Sequence, residues 1–223
     1  MTSSTELVRN MPQPPIRKRG RPKVTPDDAQ KSLILRKAAE LFVKKGYGRT
    51  TTDEVAAGCR VSKQTLYRLF SGKLELFTAV VDSHRQTMLD LPGDYDDLPL
   101  QDALERIFRS DIEPEMDRAR MAFARSVTIE AAQFPEIRDV FNRHGRDRSR
   151  AELAEWLERQ RERGRIEIDD PECGAHMLMD MILGAIIHRE PDDVEWPGGG
   201  RQCDYIRRCI KVFLNGVRPR GNV

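Results

Sequence analysis

No apolar run in the 223-residue sequence is long enough to cross a bilayer. The most hydrophobic stretch, residues 173–187, is interrupted by His176 and Asp180 and falls short of the roughly 20 residues a spanning helix needs. The first residues, MTSSTELVRNMPQPP, lack the apolar segment of a secretory leader, so the expected location is the cytoplasm. Cysteine is scarce: Cys59, Cys173, Cys203 and Cys209 make no CxxC pair, and no histidine stands at zinc-ligand spacing. In a reducing compartment they are expected as free thiols, with Cys59 the one to test for redox sensing. No apolar–polar alternation of the strand type occurs anywhere. Absent too are a Gly-rich phosphate loop, a nucleophile elbow and a His-Glu-x-x-His pair, and the four histidines, His84, His144, His176 and His188, are scattered. An enzyme, a metal site and a bound cofactor are therefore not expected.

What remains is a helical, charged chain. Its 39% hydrophobic content is enough for a core of one domain or two small ones. The formal net charge of +2 hides an asymmetry. Residues 1–75 hold 16 of the 38 basic and 7 of the 36 acidic side chains, a balance of +9; the rest carries −7. A basic first third joined to an acidic body points to a polyanion partner for the first part alone.

Residues 50–77 read as a helix-turn-helix. Thr52 is placed as N-cap of a short helix, with Asp53 and Glu54 in its first turn, where the helix dipole favours negative charge. Gly58 gives the freedom to reverse, Val61 is the apolar corner, and Ser62 caps a second helix. Leu66 and Phe70 face inward one turn apart. That leaves Lys63, Gln64, Thr65, Tyr67 and Arg68 outward: an amide and hydroxyls for base edges, and cations for phosphate. So short a helix needs a scaffold. Helix one, about 26–45, supplies it: Thr25 as cap, Pro26 at its first position, and Ile34, Ala38, Leu41 and Phe42 as the inner stripe before Gly46.

Gly46-Tyr47, Thr51-Thr52, Glu54-Val55-Ala56, Val61-Ser62, Thr65-Leu66-Tyr67, Phe70, Lys73 and Leu76-Phe77 together resemble the DNA-binding signature of the tetracycline-repressor (TetR) family, without a gap from about 33 to 77. Leu69, Gly72 and Leu74 depart from the usual pattern but touch no inward position. The resemblance implies an all-α fold in which an N-terminal three-helix DNA-binding domain joins a C-terminal helical ligand-binding and dimerisation domain. It also implies DNA contact by Thr52, Ser62, Lys63, Gln64, Thr65, Tyr67, Arg68 and Lys73. Lys63, Tyr67 and Lys73 suit phosphate, while Gln64, Thr65 and Arg68 suit base edges.

The expected division is a basic arm at 1–25, the DNA-binding domain at 26–75, and the regulatory and dimerisation domain at 76–223. In the arm, Arg17-Lys18-Arg19-Gly20-Arg21-Pro22-Lys23 resembles the AT-hook, with Arg19 and Arg21 drawn to narrow A·T-rich minor grooves. A merely basic leader is the equal alternative. Helices are expected at about 72–91, 98–112, 115–132, 135–163 (broken or kinked at Gly145), 171–189 and 202–216. Glu130-Ala131, Phe134-Pro135-Glu136-Ile137, Trp156-Leu157, Arg163-Gly164 and Asp170-Pro171 look similar to the regulatory domain of the AefR-like branch of that family.

Two terminal stripes, Met177, Leu178, Met181, Ile182, Ala185 and Ile186, then Tyr205, Ile206, Cys209, Val212 and Phe213, imply the family's dimer bundle, with Ile206 and Phe213 placed mid-seam. Met116, Met121, Phe123, Phe134, Phe141 and Trp156 are candidates to line a cavity, against the reading that most are ordinary core. His176 and Asp180, four apart, are candidates as well, against a satisfied buried pair or a seam contact. The function read from this is a sequence-specific transcriptional regulator, homodimeric on a pseudo-palindromic operator in double-stranded DNA, and a repressor released by a small apolar effector. The alternatives are an architectural DNA binder that senses nothing and an enzyme tethered to DNA.

Overall fold

The computed structural model describes residues 26–184 and 201–217, and among them every regular element is helical. The basic arm with Arg19, Arg21 and the Thr25 cap lies outside the described residues, as do Ala185, Ile186 and His188. Helix α1, Pro26–Lys45, carries Asp27 and Asp28 in its first turn and Lys44 and Lys45 in its last, both favourable to the helix dipole. Gly46 ends it at φ 84°, its N–H donating to the Phe42 carbonyl at 2.9 Å.

Helix α2 is Thr52–Cys59, and its N-cap is Thr51 rather than the expected Thr52. Thr51 Oγ1 accepts from Glu54 N at 3.2 Å, and the Glu54 carboxylate accepts from Thr51 N at 3.0 Å. This reciprocal box needs the acidic residue three places after the cap, a spacing Thr51 has and Thr52 lacks. Nor does Gly58 make the reversal. It lies within α2 against Lys37, whose Cε would be 2.9 Å from an added Cβ, and the left-handed residue is Arg60 at φ 56°. Helix α3, Lys63–Leu69, is capped by Ser62, whose Oγ accepts from Thr65 N at 3.0 Å. Leu66 and Phe70 turn in, as expected, onto Ile34, Ala38, Phe42 and Val55. Burying each such side chain contributes about 2–3 kcal/mol.

Helix α4, Lys73–Met88, belongs to two hydrophobic clusters. Leu76, Phe77, Val80 and Val81 join the cluster under the helix-turn-helix, and Met88 joins the cluster of the body. The first cluster also takes in Phe123, Val127, Ile137 and Val140. A boundary at 75/76 therefore runs through a continuous core.

The body consists of α5 (Leu100–Ile107), α6 (Pro114–Glu130), α7 (Pro135–Val140), α8 (Arg148–Glu162), α9 (Pro171–Met179) and α10 (Gln202–Gly216). Pro114, Pro135 and Pro171 each open a helix, where the missing N–H costs nothing. Helix α5 stops short of the expected 112, because Arg109 turns left-handed at φ 50°. The expected break near Gly145 is a widened π-helical segment, Phe141–Asp147, which runs straight into α8. A second, Asp180–Gly184, extends α9.

In α10, Ile206, Cys209, Ile210 and Phe213 point into the protomer's own core. Ile206 is 1% exposed in a single chain, so Ile206 and Phe213 cannot be the middle of a seam. The apolar side chains these helices leave outside are Met177 on α9, 59% exposed, and Val212 on α10, 65% exposed.

Candidate nucleic-acid interface and cavity

Capping by Ser62 and burial of Leu66 fix the rotation of α3, which leaves Ser62, Lys63, Gln64, Tyr67 and Arg68 exposed and Thr65 half-buried. Tyr67, 49% exposed, shares a hydrogen bond with Thr52 through its hydroxyl at 3.0 Å, tying the start of α2 to the outer side of α3. Lys63 pairs with Asp53 at 2.5 Å. The Arg68 guanidinium grips Asp27 of α1 with both terminal nitrogens, at 3.0 and 2.9 Å. Its hydrogen bonds and charge hold the Asp27 carboxyl below the usual range. Gln64 makes no side-chain hydrogen bond among the described residues. Two cations of the outward set are thus already held by carboxylates of the same domain, and the amide of Gln64 is uncommitted.

Lys73 does not project with this set. Its Nζ lies 4.2 Å from the centre of the Tyr47 ring and donates to the Gly48 carbonyl at 3.2 Å. Burial pushes its ammonium down, against the opposing pull of Glu130, Glu136 and Glu54. The neighbourhood is a notch formed by the turn after α1. Into it the last residue of α6, Glu130, sends a carboxylate that accepts from the backbone N–H groups of Tyr47 and Gly48. Phe134 follows, edge-on to Tyr47 at 5.6 Å. Two glycines make room: a Cβ on Gly46 would overlap the Glu130 carboxylate, and one on Gly48 would lie 2.6 Å from Phe134 Cζ.

A cavity of about 440 Å³ opens within the body, within the 300–1,000 Å³ typical of small-molecule sites. Helix α4 walls one side with Val81, His84, Arg85 and Met88; Ala124 and Thr128 of α6 form another. The rest comes from Leu89, Ser149, Met179 and both π-helical segments, through Phe141, Gly145 and Arg146 in one and Asp180, Leu183 and Gly184 in the other. Such widened turns are rare and gather at functional sites. Of the sequence candidates, Phe141 and Asp180 line the cavity. Met121, Phe123 and Trp156 are core instead, and Met116 is exposed. His176 faces outward and pairs with Asp180 at 3.1 Å, with both side chains more than half exposed, so the pair is not buried.

Sequence reasoning missed His84 and Arg85, although a signal was there. Positions 81, 84, 85 and 88 form one helical stripe, and two polar residues on an inward stripe mark either a buried pair or a lined space. Arg85 is 4% exposed and bound to Glu152. Burial, reinforced by the Arg120 charge, pushes His84 down to about 3, so it is neutral at physiological pH. Cys59 is buried, and desolvation raises its thiol, which disfavours the thiolate form. Among the described residues no helix is long and apolar enough to cross a membrane.

Comparison with known proteins agrees with this architecture. Residues 34–80 match the model for bacterial regulatory proteins of the tetR family, and residues 102–216 match the C-terminal domain of AefR-like transcriptional repressors. The HTH-type transcriptional regulator YvkB of Bacillus subtilis is 30% identical over 161 residues, 70% of this chain and 80% of its own. A TetR-family regulator structure from Mesorhizobium loti superposes with a TM-score of 0.66 at 22% identity, over 87% of this chain and 99% of that one. The flavonoid-responsive regulator FrrA superposes at 0.59 with 25% identity, over 86% and 99%.

Proposed function

The chain belongs to the TetR family of helix-turn-helix transcriptional regulators, DNA-binding proteins and not enzymes, and on that premise we propose that it acts as a homodimeric repressor released from its operator when a small molecule enters the cavity. The observation that carries the proposal is the double membership of α4, whose first half packs on α1 and shares the core of the helix-turn-helix, and whose second half walls the cavity. A ligand that prefers one position of α4 changes the separation of the two recognition helices, which must stand about 34–36 Å apart, or a multiple of that, to engage one face of B-DNA. Operator and ligand affinities are then coupled reciprocally. FrrA, described as flavonoid-responsive, supports a ligand-responsive reading. The architectural alternative leaves the cavity without a role.

Genome-wide footprinting of the purified protein tests the core of this reading: discrete palindromic sites support it, and diffuse A·T-rich occupancy would sink it. On the best site, Gln64→Ala is expected to cost about 1–3 kcal/mol and to relax preference at one position per half-site. An unchanged sequence profile in a selection from random sites would remove Gln64 from base reading. Asp27→Asn is expected to act the other way. It releases Arg68 and removes a negative charge beside the DNA, so affinity should rise and the salt slope steepen by about one. A titration at several salt concentrations reads both.

A further inference from the structure

The cavity has a polar end that its apolar walls do not explain. Arg85 and His84, adjacent on α4, both line it, and Arg85 Nε and His84 Nε2 are buried without a hydrogen-bond partner. Buried polar nitrogens are nearly always satisfied, so two orphans at one cavity ask for an external partner. The local charge fixes its sign. Glu152, which holds Arg85, also faces Arg148 at 3.6 Å, and Asp82 reaches Arg148 at 3.8 Å. A third guanidinium, Arg120, lies near His84 and is engaged by Asp117 at 2.7 Å. At the rim Asp180 lies 3.1 Å from His176, which carries charge only when protonated, while Arg146 has no ion pair among the described residues. Of the charged side chains lining the cavity two are guanidiniums, Arg85 and Arg146, and one is a carboxylate, Asp180, so the balance favours an anion; a neutral ligand would satisfy the nitrogens without using the charge. Size follows from volume: at about 30 Å³ per water-sized group, 440 Å³ holds on the order of fifteen non-hydrogen atoms.

We propose that this cavity takes a small amphipathic carboxylate, its anionic group held by Arg85 and His84 and its apolar body of roughly a dozen carbon atoms lying against Met88, Phe141, Met179 and Leu183. The proposal deepens the effector reading of the same cavity and rests on it. The test is calorimetric titration of the full-length protein with decanoate, 1-decanol and decylamine, matched in chain length, and with biphenyl-4-carboxylate as a ring-bodied acid. Saturable binding of one carboxylate per protomer, roughly tenfold or more tighter than the alcohol and the amine, is expected. Arg85→Lys keeps the charge and the reach to Glu152 but has no Nε, and should lose about tenfold for decanoate and nothing for decanol. His84→Phe, which preserves the packing on Phe123, repeats the test if the lysine variant fails to fold. Ala124→Leu, which narrows the cavity, should weaken every probe that binds. No saturable binding by either acid, equal or tighter binding of the alcohol or amine, decanoate binding indifferent to both polar variants, or binding indifferent to Ala124→Leu would each overturn the proposal. A gel shift on operator separates the two readings. Carboxylate binding that leaves the operator complex intact upholds the ligand class and overturns the effector role, while release by decanol or decylamine alone does the reverse.

Discussion

Met177→Asp combined with Val212→Asp is expected to turn the full-length protein into a folded monomer that no longer holds its operator. Both side chains are more than half exposed in the single chain, so the protomer loses little and its helical circular dichroism should be unchanged. In a two-fold interface each carboxylate would be buried unpaired, and twice over by symmetry. Each costs several kcal/mol, more than a seam of this kind supplies. Light scattering should report the monomer mass. Operator affinity should fall by at least about 100-fold, because one half-site loses the benefit of a tethered second. Ile206→Asp is the contrast: that residue is buried within its own protomer against α5 and the rest of the body core, so the variant should unfold instead. A double variant that stays dimeric would move the interface off α9 and α10.

The second large effect is expected from Gly46→Ala. The left-handed φ of 84° costs a side chain about 1–2 kcal/mol, and the new Cβ displaces the Glu130 carboxylate from the Tyr47 and Gly48 amides. A loss of about 3 kcal/mol and a fall in Tm of roughly 6–12 °C should follow. Gly72→Ala is the control, since Gly72 is extended at φ −175° with nothing within 4 Å of an added Cβ, and it should be near neutral. In the Gly46→Ala background, Glu130→Ala should cost much less than it does alone, because the contact is already broken. Thermal unfolding of the parent, the two single variants Gly46→Ala and Glu130→Ala, and their combination settles it; additive losses would show that Glu130 and the turn are not coupled.

The helix-turn-helix was legible because its signals are local. The Ser62 cap, the inward Leu66 and Phe70, and Gly46 at the end of α1 each follow from neighbours within a turn or two. Even the one-residue error at Thr52 was avoidable, since Thr51-x-x-Glu54 spells the capping box. The cavity was not legible. Apolar spacing distinguishes an inner face from an outer one, but not a filled core from a lined space, so Met121, Phe123 and Trp156 read the same as Phe141. The widening of the turns at Phe141 and Asp180 has no compositional mark. The seam was misplaced for a similar reason: the strongest stripe of α10 is the one its own protomer consumes. Glu130 in the notch depends on an 83-residue separation that no local pattern records.

Because the reading head shares its apolar interior with α6 and α7 through Phe123, Val127, Ile137 and Val140, it is not a detachable cartridge. A chimera that joins these first 75 residues to the body of another regulator would set Phe42 and Tyr47 against foreign side chains and leave the Gly46–Gly48 notch facing whatever ends the new α6. Grafting for altered operator choice should succeed only when Glu130 and Phe134 travel with the head, so the unit of transplantation is a patch in space, not a segment of sequence.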